Sequence, residues 1–259
     1  MKRVLSALIL GTASLIGLAS FLYPFFQVSV QGTSSGMAHG SDAPFVFGVL
    51  ILFCLGAVLG NLESRQFNSK MVAALGVLTA ANAVLRAVPG PAGFAAVFFL
   101  PVLVGYVFGP TFGFLLGALS LLVSALIGGG VGPWLPYQMF ASGWIGLTSA
   151  WLPNLRRWRR VEVGMLTLWG LIWGFFFGAI MNLWFWPYAF SAGNESMYWQ
   201  PGISLTETLK RYAAFYGLTS FWWDVGRAGG NALLLFFFAA PILKLLRRFE
   251  RRFHFVCGS

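Results

Sequence analysis

Eight apolar segments run through the chain, and they constrain its fold more than any other feature. They cover residues 4–21, 45–62, 71–88, 94–108, 112–127, 135–152, 164–186 and 221–243. A helix of about 17–25 predominantly apolar residues crosses the hydrocarbon core of a bilayer, and only the fourth and fifth segments are shorter than that. We therefore predict an all-α membrane protein, a polytopic helical bundle of about eight transmembrane helices.

The distribution of charge supports this prediction and orients the chain. Only 9% of the residues are charged, against about 25% in a soluble domain, so the chain cannot cover a water-facing surface. The formal net charge is +10, and 13 of the 17 Lys and Arg residues fall in four short segments beside the apolar ones, at 2–3, 65–70, 156–160 and 244–252. This positive-inside pattern predicts a multi-pass protein of the cell membrane with both termini in the cytoplasm, and it argues against a nucleic-acid partner.

Two features outside the main spans allow further predictions. The N-terminus is also typical of a secretory signal peptide, because Lys2-Arg3 is followed by an apolar stretch and then by Ala19-Ser20. The apolar stretch continues to Phe26, however, which favours a retained span. In the long outer segment 187–211, Ser204 is followed three residues later by Glu207, as in a capping box. This spacing predicts an amphipathic surface helix over residues 204–216.

Small residues recur at spacings of three and four on the third apolar segment, which places them on one helix face. This small-residue stripe consists of Ala73, Gly76, Ala80, Ala83 and Ala87. Because small residues let another helix approach closely, the stripe is either a contact inside the bundle or a docking face for another membrane protein. Gly113 with Gly117, and the run Gly170, Gly174 and Gly178, predict further close-packing faces.

Polar side chains at membrane depth are costly and are functional candidates by default. The predicted topology places six of them in the outer half, with aromatic residues at the same level: Asn82, Arg86, Gln138, Asn182, Asp224 and Arg227, with Trp134, Trp184, Trp186, Trp222 and Trp223. Their convergence from four helices predicts a pocket open to the exterior. Alternatively, Arg86 extends to the lipid headgroups, Asp224 and Arg227 form a structural pair, and some Trp residues belong to the interfacial belt.

Two motifs of common enzyme chemistry, G-x-x-x-x-G-K-[ST] and H-E-x-x-H, are absent from the sequence. His39 and His254 are predicted on opposite sides of the membrane. Cys54 lies in an apolar run and Cys257 in the basic tail, so no disulfide is expected. We therefore predict a protein that is not an enzyme, with no catalytic residues, cofactor or metal site.

Two stretches resemble the substrate-binding S component of energy-coupling factor (ECF) transporters, most closely its cobalamin-type branch. They are residues 98–110, FFLPVLVGYVFGP, and residues 128–140, GGGVGPWLPYQMF. The resemblance covers about residues 69–248. It implies a six-helix substrate-binding core at 67–248, preceded by an N-terminal transmembrane hairpin at 1–66 and followed by a basic cytoplasmic tail at 249–259. The hairpin departs from the six-helix pattern, either as a packing appendage or as an obstruction to docking.

The resemblance also implies a function and its partners. S components capture a vitamin at the outer face and join a transmembrane coupling subunit and two ATPases, with the small-residue stripe as the coupling contact. Substrate contacts are then expected from Asn82, Arg86, Trp134, Tyr137, Gln138, Asn182, Trp184, Trp186, Asp224 and Arg227. Cobalamin or a corrinoid precursor is the favoured substrate, and riboflavin or another micronutrient is the alternative. The alternative function is a non-transporting membrane scaffold. This alternative predicts that four polar side chains pair with one another and leave no cavity between them: Asp224, Arg227, Arg86 and Asn182.

Overall fold

A computed structural model describes residues 2–26, 38–63, 67–87, 90, 93–94, 96–189 and 195–254. Within these residues the chain forms nine α-helices and no strand, which confirms the all-α prediction. The helices are α1 (Lys2–Leu22), α2 (Ala43–Glu63), α3 (Ser69–Ala87), α4 (Phe99–Phe108), α5 (Pro110–Ser124), α6 (Leu135–Ser149), α7 (Arg159–Phe185), α8 (Leu205–Thr219) and α9 (Phe221–His254). Residues 190–194 of the predicted outer segment 187–211 and Cys257 lie outside the described residues.

In the described part of the chain, six helical segments are long and apolar enough to cross a bilayer, so the chain is a multi-pass membrane protein. They are Ser6–Phe26, Ala43–Glu63, Ser69–Ala87, Pro110–Gly129, Arg159–Tyr188 and Phe221–Arg252. The other two predicted spans are the shorter apolar helix Ala96–Phe108, which contains α4, and the 15-residue α6. Both lie in the interior of the bundle, where Val102, Leu103 and Ala141 are fully buried.

Glycines bring α4, α5 and α6 into backbone contact. A Cβ added to Gly105 or Gly113 would collide with the backbone of Gly146, and one added to Gly117 would collide with that of Ser142. The close-packing face predicted at Gly113 and Gly117 is therefore confirmed. Between α4 and α5 the chain turns at Gly109, whose φ of 93° lies in the region that favours glycine, and Pro110 opens α5.

The glycine run on α7 serves the same purpose against α9. Gly174 packs on the backbone of Ala228, Gly170 on the side chain of Leu235, and Gly178 on the carboxylate of Asp224. The predicted face is confirmed, and it explains why α7 and α9 form one of the two most extensive helix pairs.

The N-terminal hairpin, α1 and α2, packs on the side of the bundle formed by α6 and α7. Trp144 on α6 donates a hydrogen bond to Oγ of Ser14 at 3.1 Å, and within the hairpin Ser6 donates to Asn61 at 3.2 Å. The helix that carries the small-residue stripe, α3, packs instead on α5. The hairpin therefore leaves the stripe uncovered.

The predicted surface helix is present as α8. Oγ of Ser204 accepts a hydrogen bond from the backbone N–H of Glu207 at 3.2 Å, so the predicted cap is confirmed. The Glu207 carboxylate does not complete the capping box; it accepts a hydrogen bond from Arg211 at 2.8 Å instead. One face of α8 buries Phe215, while Leu209 and Leu218 are exposed.

Candidate substrate site at the outer end

The predicted substrate residues lie at one end of the bundle. The helices run alternately, so α1, α3, α5 and α7 end where α2, α4, α6 and α9 begin. We call this the outer end, and the opposite end, which carries most of the Lys and Arg residues, the basic end. Among the described residues, the predicted residues form separate clusters at the outer end.

The first cluster is an aromatic cage around the imidazole of His39, a residue of the turn that leads into α2. The rings of Tyr23, Tyr137, Trp184 and Tyr188 lie with centroids 4.5–5.9 Å from the imidazole centroid, and Trp184 stacks on it. His39 itself is 1% exposed and has a φ of 57°, an uncommon conformation for a residue other than glycine. The cage joins the N-terminal hairpin to α6 and α7.

Hydrogen bonds tie the His39 turn to α6. The Tyr137 hydroxyl donates to Oδ2 of Asp42 at 2.5 Å and lies 2.7 Å from Nδ1 of His39, which in turn is 2.8 Å from the same Asp42 oxygen. Burial acts to raise the pKa of Asp42, but the hydrogen bonds from His39 and Tyr137 outweigh it and hold that pKa below its usual value. The structure thus favours Asp42 as a carboxylate.

Three buried polar atoms of the cage have no hydrogen-bond partner among the described residues. They are Nε2 of His39, Oδ1 of Asp42 and Nε1 of Trp184. Buried polar groups are nearly always paired, and each unpaired one costs roughly 1–3 kcal/mol. The cage therefore offers a donor, an acceptor and an imidazole nitrogen to a further molecule, beside aromatic faces.

Arg86 centres the second cluster. It donates one hydrogen bond to Oγ of Ser124 at 3.2 Å and another to Oε1 of Gln138 at 3.0 Å. The guanidinium of the half-buried Arg86 therefore joins α3, α5 and α6, and its place in a water-filled pocket stays a prediction. Gln138 follows Tyr137 on α6, so the Arg86 cluster adjoins the cage.

The third cluster is the Asp224–Arg227 ion pair on the first turns of α9. Tyr216 of α8 donates a hydrogen bond to Asp224 at 2.9 Å, and the Arg227 guanidinium lies 5.3 Å from the ring centre of Phe177. Asp224 is 1% exposed. The interpretation of these two residues as a structural pair is the one that the geometry supports.

The remaining predicted residues are apart from these clusters. Asn82 is fully buried and donates to the backbone carbonyl of Val97 at 2.9 Å, and Asn182 accepts from Ser220 at 2.9 Å. Trp186 donates to the carbonyl of Met197 at 2.8 Å and belongs to a separate aromatic cluster under α8. Trp134 is half-buried at the start of α6.

An apolar cavity of about 320 Å³ opens beside the cage. The start of α2 and the segment before and at the start of α6 line it: Gly40, Ala43, Pro44, Phe47, Val131, Gly132, Pro133, Leu135 and Pro136. Five residues of the segment 130–138 form one wall, and none of them is a predicted substrate residue. None of the ten predicted substrate side chains lines the cavity.

The small-residue stripe is largely uncovered. Ala73, Gly76, Ala80 and Ala87 are exposed, whereas Ala83 is buried and faces the bundle. Val77 and Val84, beside the stripe, are 69% and 59% exposed. For four of the five residues, the interpretation as a contact inside the bundle is therefore wrong.

The sequence reasoning missed the part of the cage that comes from outside the core. The sequence patterns did not identify His39, Asp42 or Tyr23 as site residues. The available signal was the i, i+3 spacing of His39 and Asp42 in a short turn directly before an apolar span.

The fold and the site together define a helical membrane protein that presents a small polar and aromatic site at one end. A comparison with protein families matches residues 69–239, which are 171 of the 259 residues, to the family described as ECF transporter, substrate-specific component. The chain belongs to this family, and it is accordingly a substrate-binding membrane subunit of a transporter and not an enzyme. No curated protein and no solved structure matches the chain.

Proposed function

We propose that the chain captures a vitamin-like small molecule at the outer end of the bundle and delivers it with a separate coupling subunit and two ATPases. The observation that carries the proposal is the cage, where Tyr137 and Trp184 meet the His39 turn beside three unpartnered buried polar atoms. Stacking surfaces with a few convergent polar groups are what a ring-containing ligand requires. The N-terminal hairpin then contributes directly to the substrate site.

Cobalamin or a corrinoid precursor is the first substrate to test, because residues 98–110 and 128–140 resemble those of the cobalamin-type branch. The cavity beside the cage favours a more compact ring system such as riboflavin as the second candidate. Its volume of about 320 Å³ lies at the low end of the ~300–1,000 Å³ typical of ligand sites. A bulky corrinoid would have to open the contact between the His39 turn and α6.

The clusters differ in their proposed roles. Trp184 and Tyr137 contact the substrate ring, and Arg86 and Gln138 position Tyr137 from the neighbouring cluster. Asp224 and Arg227 form an ion pair with each other, so we assign them to the packing of α8 and α9 around the site. Asn82, Asn182, Trp134 and Trp186 support the same end of the bundle.

The small-residue stripe on α3 is the proposed contact for the coupling subunit. Its exposed members are Ala73, Gly76, Ala80 and Ala87. Small residues let the backbones of two membrane helices approach closely. Larger apolar side chains would pack no better against another helix than against lipid. The hairpin packs on α6 and α7 and does not obstruct this face. The charge distribution supports a cytoplasmic location for both termini.

A non-transporting scaffold is the competing function, and the Asp224–Arg227 pair favours it. That hypothesis also requires Arg86 and Asn182 to join the pair. Arg86 instead bonds Gln138 and Ser124, and Asn182 bonds Ser220. A scaffold binds no ligand, so it does not explain why three buried polar atoms of the cage lack hydrogen-bond partners.

Small molecules that co-purify with the detergent-solubilised chain test the function directly. Mass spectrometry should identify a ring-containing micronutrient, and calorimetric titration of the emptied protein with cobalamin and with riboflavin should show saturable binding of one. Trp184→Phe should weaken that binding about tenfold, because it removes an indole face and its N–H. Trp158→Phe, at an exposed position of the basic end, should leave it unchanged. An empty protein that binds neither compound nor any of a vitamin panel would favour the scaffold.

A further inference from the structure

A second cavity lies at the basic end, between the start of α7 and the C-terminal part of α9. Its volume is about 220 Å³. Five cationic side chains and one carboxylate line it: Arg156, Arg159, Lys244, Arg247, Arg251 and Glu162. The other lining residues, Ala240 and Leu243, are apolar and lie on α9 toward the middle of the membrane span. Neither the substrate site nor the proposed docking face uses this cavity.

The single carboxylate does not neutralise the wall. Glu162 is 1% exposed and accepts two hydrogen bonds from Arg247, at 3.1 and 2.5 Å, and one from the Tyr106 hydroxyl at 2.7 Å. These bonds hold Arg247 in place at the cavity. Its Nε remains buried without a hydrogen-bond partner among the described residues.

The other cations leave a strong positive excess. Three of the lining cations, Arg159, Lys244 and Arg251, have no acidic partner within ion-pair distance in the described part of the chain. Arg156 pairs with Glu250, which does not line the cavity. Arg159 is also the first residue of the 27-residue α7, so the partial positive charge of that helix terminus adds to the same region. Five cations against one carboxylate give the wall a formal charge of +4.

We propose that this cavity binds a phosphate-bearing anion, and specifically the headgroup of an anionic phospholipid. Basic pockets at the ends of membrane helices recognise such headgroups by charge and by hydrogen bonds to phosphate oxygens. The cavity lies where two spanning helices reach the membrane surface, and the apolar Ala240 and Leu243 continue from it along α9 toward the acyl region. A soluble phosphate compound would use the cations but not this apolar side. The proposal is independent of the identity of the transported substrate.

Native mass spectrometry of the full chain in detergent provides the test, with phosphatidylglycerol and phosphatidylcholine of identical acyl chains as probes. We expect several-fold greater retention of phosphatidylglycerol. The double variant Arg159→Gln/Lys244→Gln should weaken its retention by about tenfold or more, since it removes two of the three lining cations without an acidic partner. The matched control is Arg160→Gln/Arg248→Gln, which removes one charge from each of the same two helices outside the cavity.

Each outcome decides the proposal. Loss in the first double variant with retention in the control supports the site. Equal loss in both, or equal retention of the two lipids, overturns it in favour of unspecific attraction to a basic surface. Displacement of phosphatidylglycerol by millimolar inorganic phosphate would assign the cavity to a soluble anion and overturn the lipid assignment. Thermal unfolding without added lipid checks that both variants are folded, and Arg247 is left intact because it satisfies the buried Glu162.

Discussion

The Tyr137 hydroxyl donates a 2.5 Å hydrogen bond to Oδ2 of Asp42, across 95 residues of sequence. Tyr137 belongs to the motif on α6 by which the chain resembles an S component, and Asp42 belongs to the N-terminal hairpin that six-helix members lack. The bond therefore joins the additional hairpin to the site of the family core. Through it, the hairpin is part of the site's structure and not only an attachment to its side.

Tyr137→Phe should destabilise the protein by about 1–3 kcal/mol, because Oδ2 of Asp42 loses a donor while it stays half-buried. Thermal unfolding in detergent measures the effect. Combining the variant with Asp42→Asn completes a double-mutant cycle. A coupling energy well above about 0.5 kcal/mol is expected, and simple additivity of the two single variants would contradict the contact.

The same carboxylate predicts a dependence of stability on pH. The pKa of Asp42 is lower in the folded protein than its usual value of 3.8, since the hydrogen bonds from His39 and Tyr137 outweigh the opposing effect of burial. Its contribution to stability is then fully present above the unfolded-state pKa and is lost as the pH falls through the folded-state pKa. Unfolding temperatures measured from pH 7 down to 3 should therefore fall more steeply below about pH 4 for the wild type than for Asp42→Asn.

A control variant identifies the group responsible for that difference. Glu63→Gln removes one carboxylate from the exposed opposite end of α2, and so tests whether the loss of any carboxylate has the same effect. Parallel curves for the wild type and Asp42→Asn would contradict the assignment to Asp42.

Much of the fold could be predicted because membrane helices can be identified from their length and apolar composition. The turn at Gly109, the cap at Ser204 and the glycine face on α7 all follow from local chemistry within a few residues. Span lengths could be predicted less well, because the fifth segment, predicted as short, lies in the 20-residue helical segment Pro110–Gly129, whereas α6 has only 15 residues. Both α4 and α6 are surrounded by other helices and need not match the thickness of the bilayer.

The site could be predicted only in part, because hydropathy gives the depth of a residue but not its neighbours. Arg86, Gln138 and Asp224 were correctly placed at one end, yet the predicted common pocket is divided into local clusters. Which partner a buried polar group finds depends on the rotation and packing of whole helices. The contact between His39 and Tyr137 joins residues 98 positions apart, and no local pattern encodes it.

The contact between Gly178 of α7 and Asp224 of α9 leads to a prediction about packing. A methyl group at Gly178 of α7 would collide with the carboxylate of Asp224, so Gly178→Ala should destabilise the protein by about 1–3 kcal/mol. Gly164→Ala on the same helix meets no atom within 4 Å and should be neutral or stabilising by roughly 0.5–1 kcal/mol. The two unfolding temperatures should move in opposite directions or differ by several degrees, and equal shifts would argue against the close contact.

The exposed stripe on α3 offers a prediction about assembly. Gly76→Leu and Ala80→Leu place a bulky side chain where the proposed coupling subunit approaches, so each should reduce the amount of coupling subunit and ATPases that purify with the tagged chain by about tenfold. Gly48→Leu on α2 and Ala19→Leu on α1 are matched controls, because both positions are exposed and lie on the hairpin. Quantitative mass spectrometry of complexes from native membranes measures the recovery. If the controls reduce recovery as much as the α3 variants, the partner docks on the hairpin and not on the stripe, and the hairpin is then the feature that adapts this S component to its transporter.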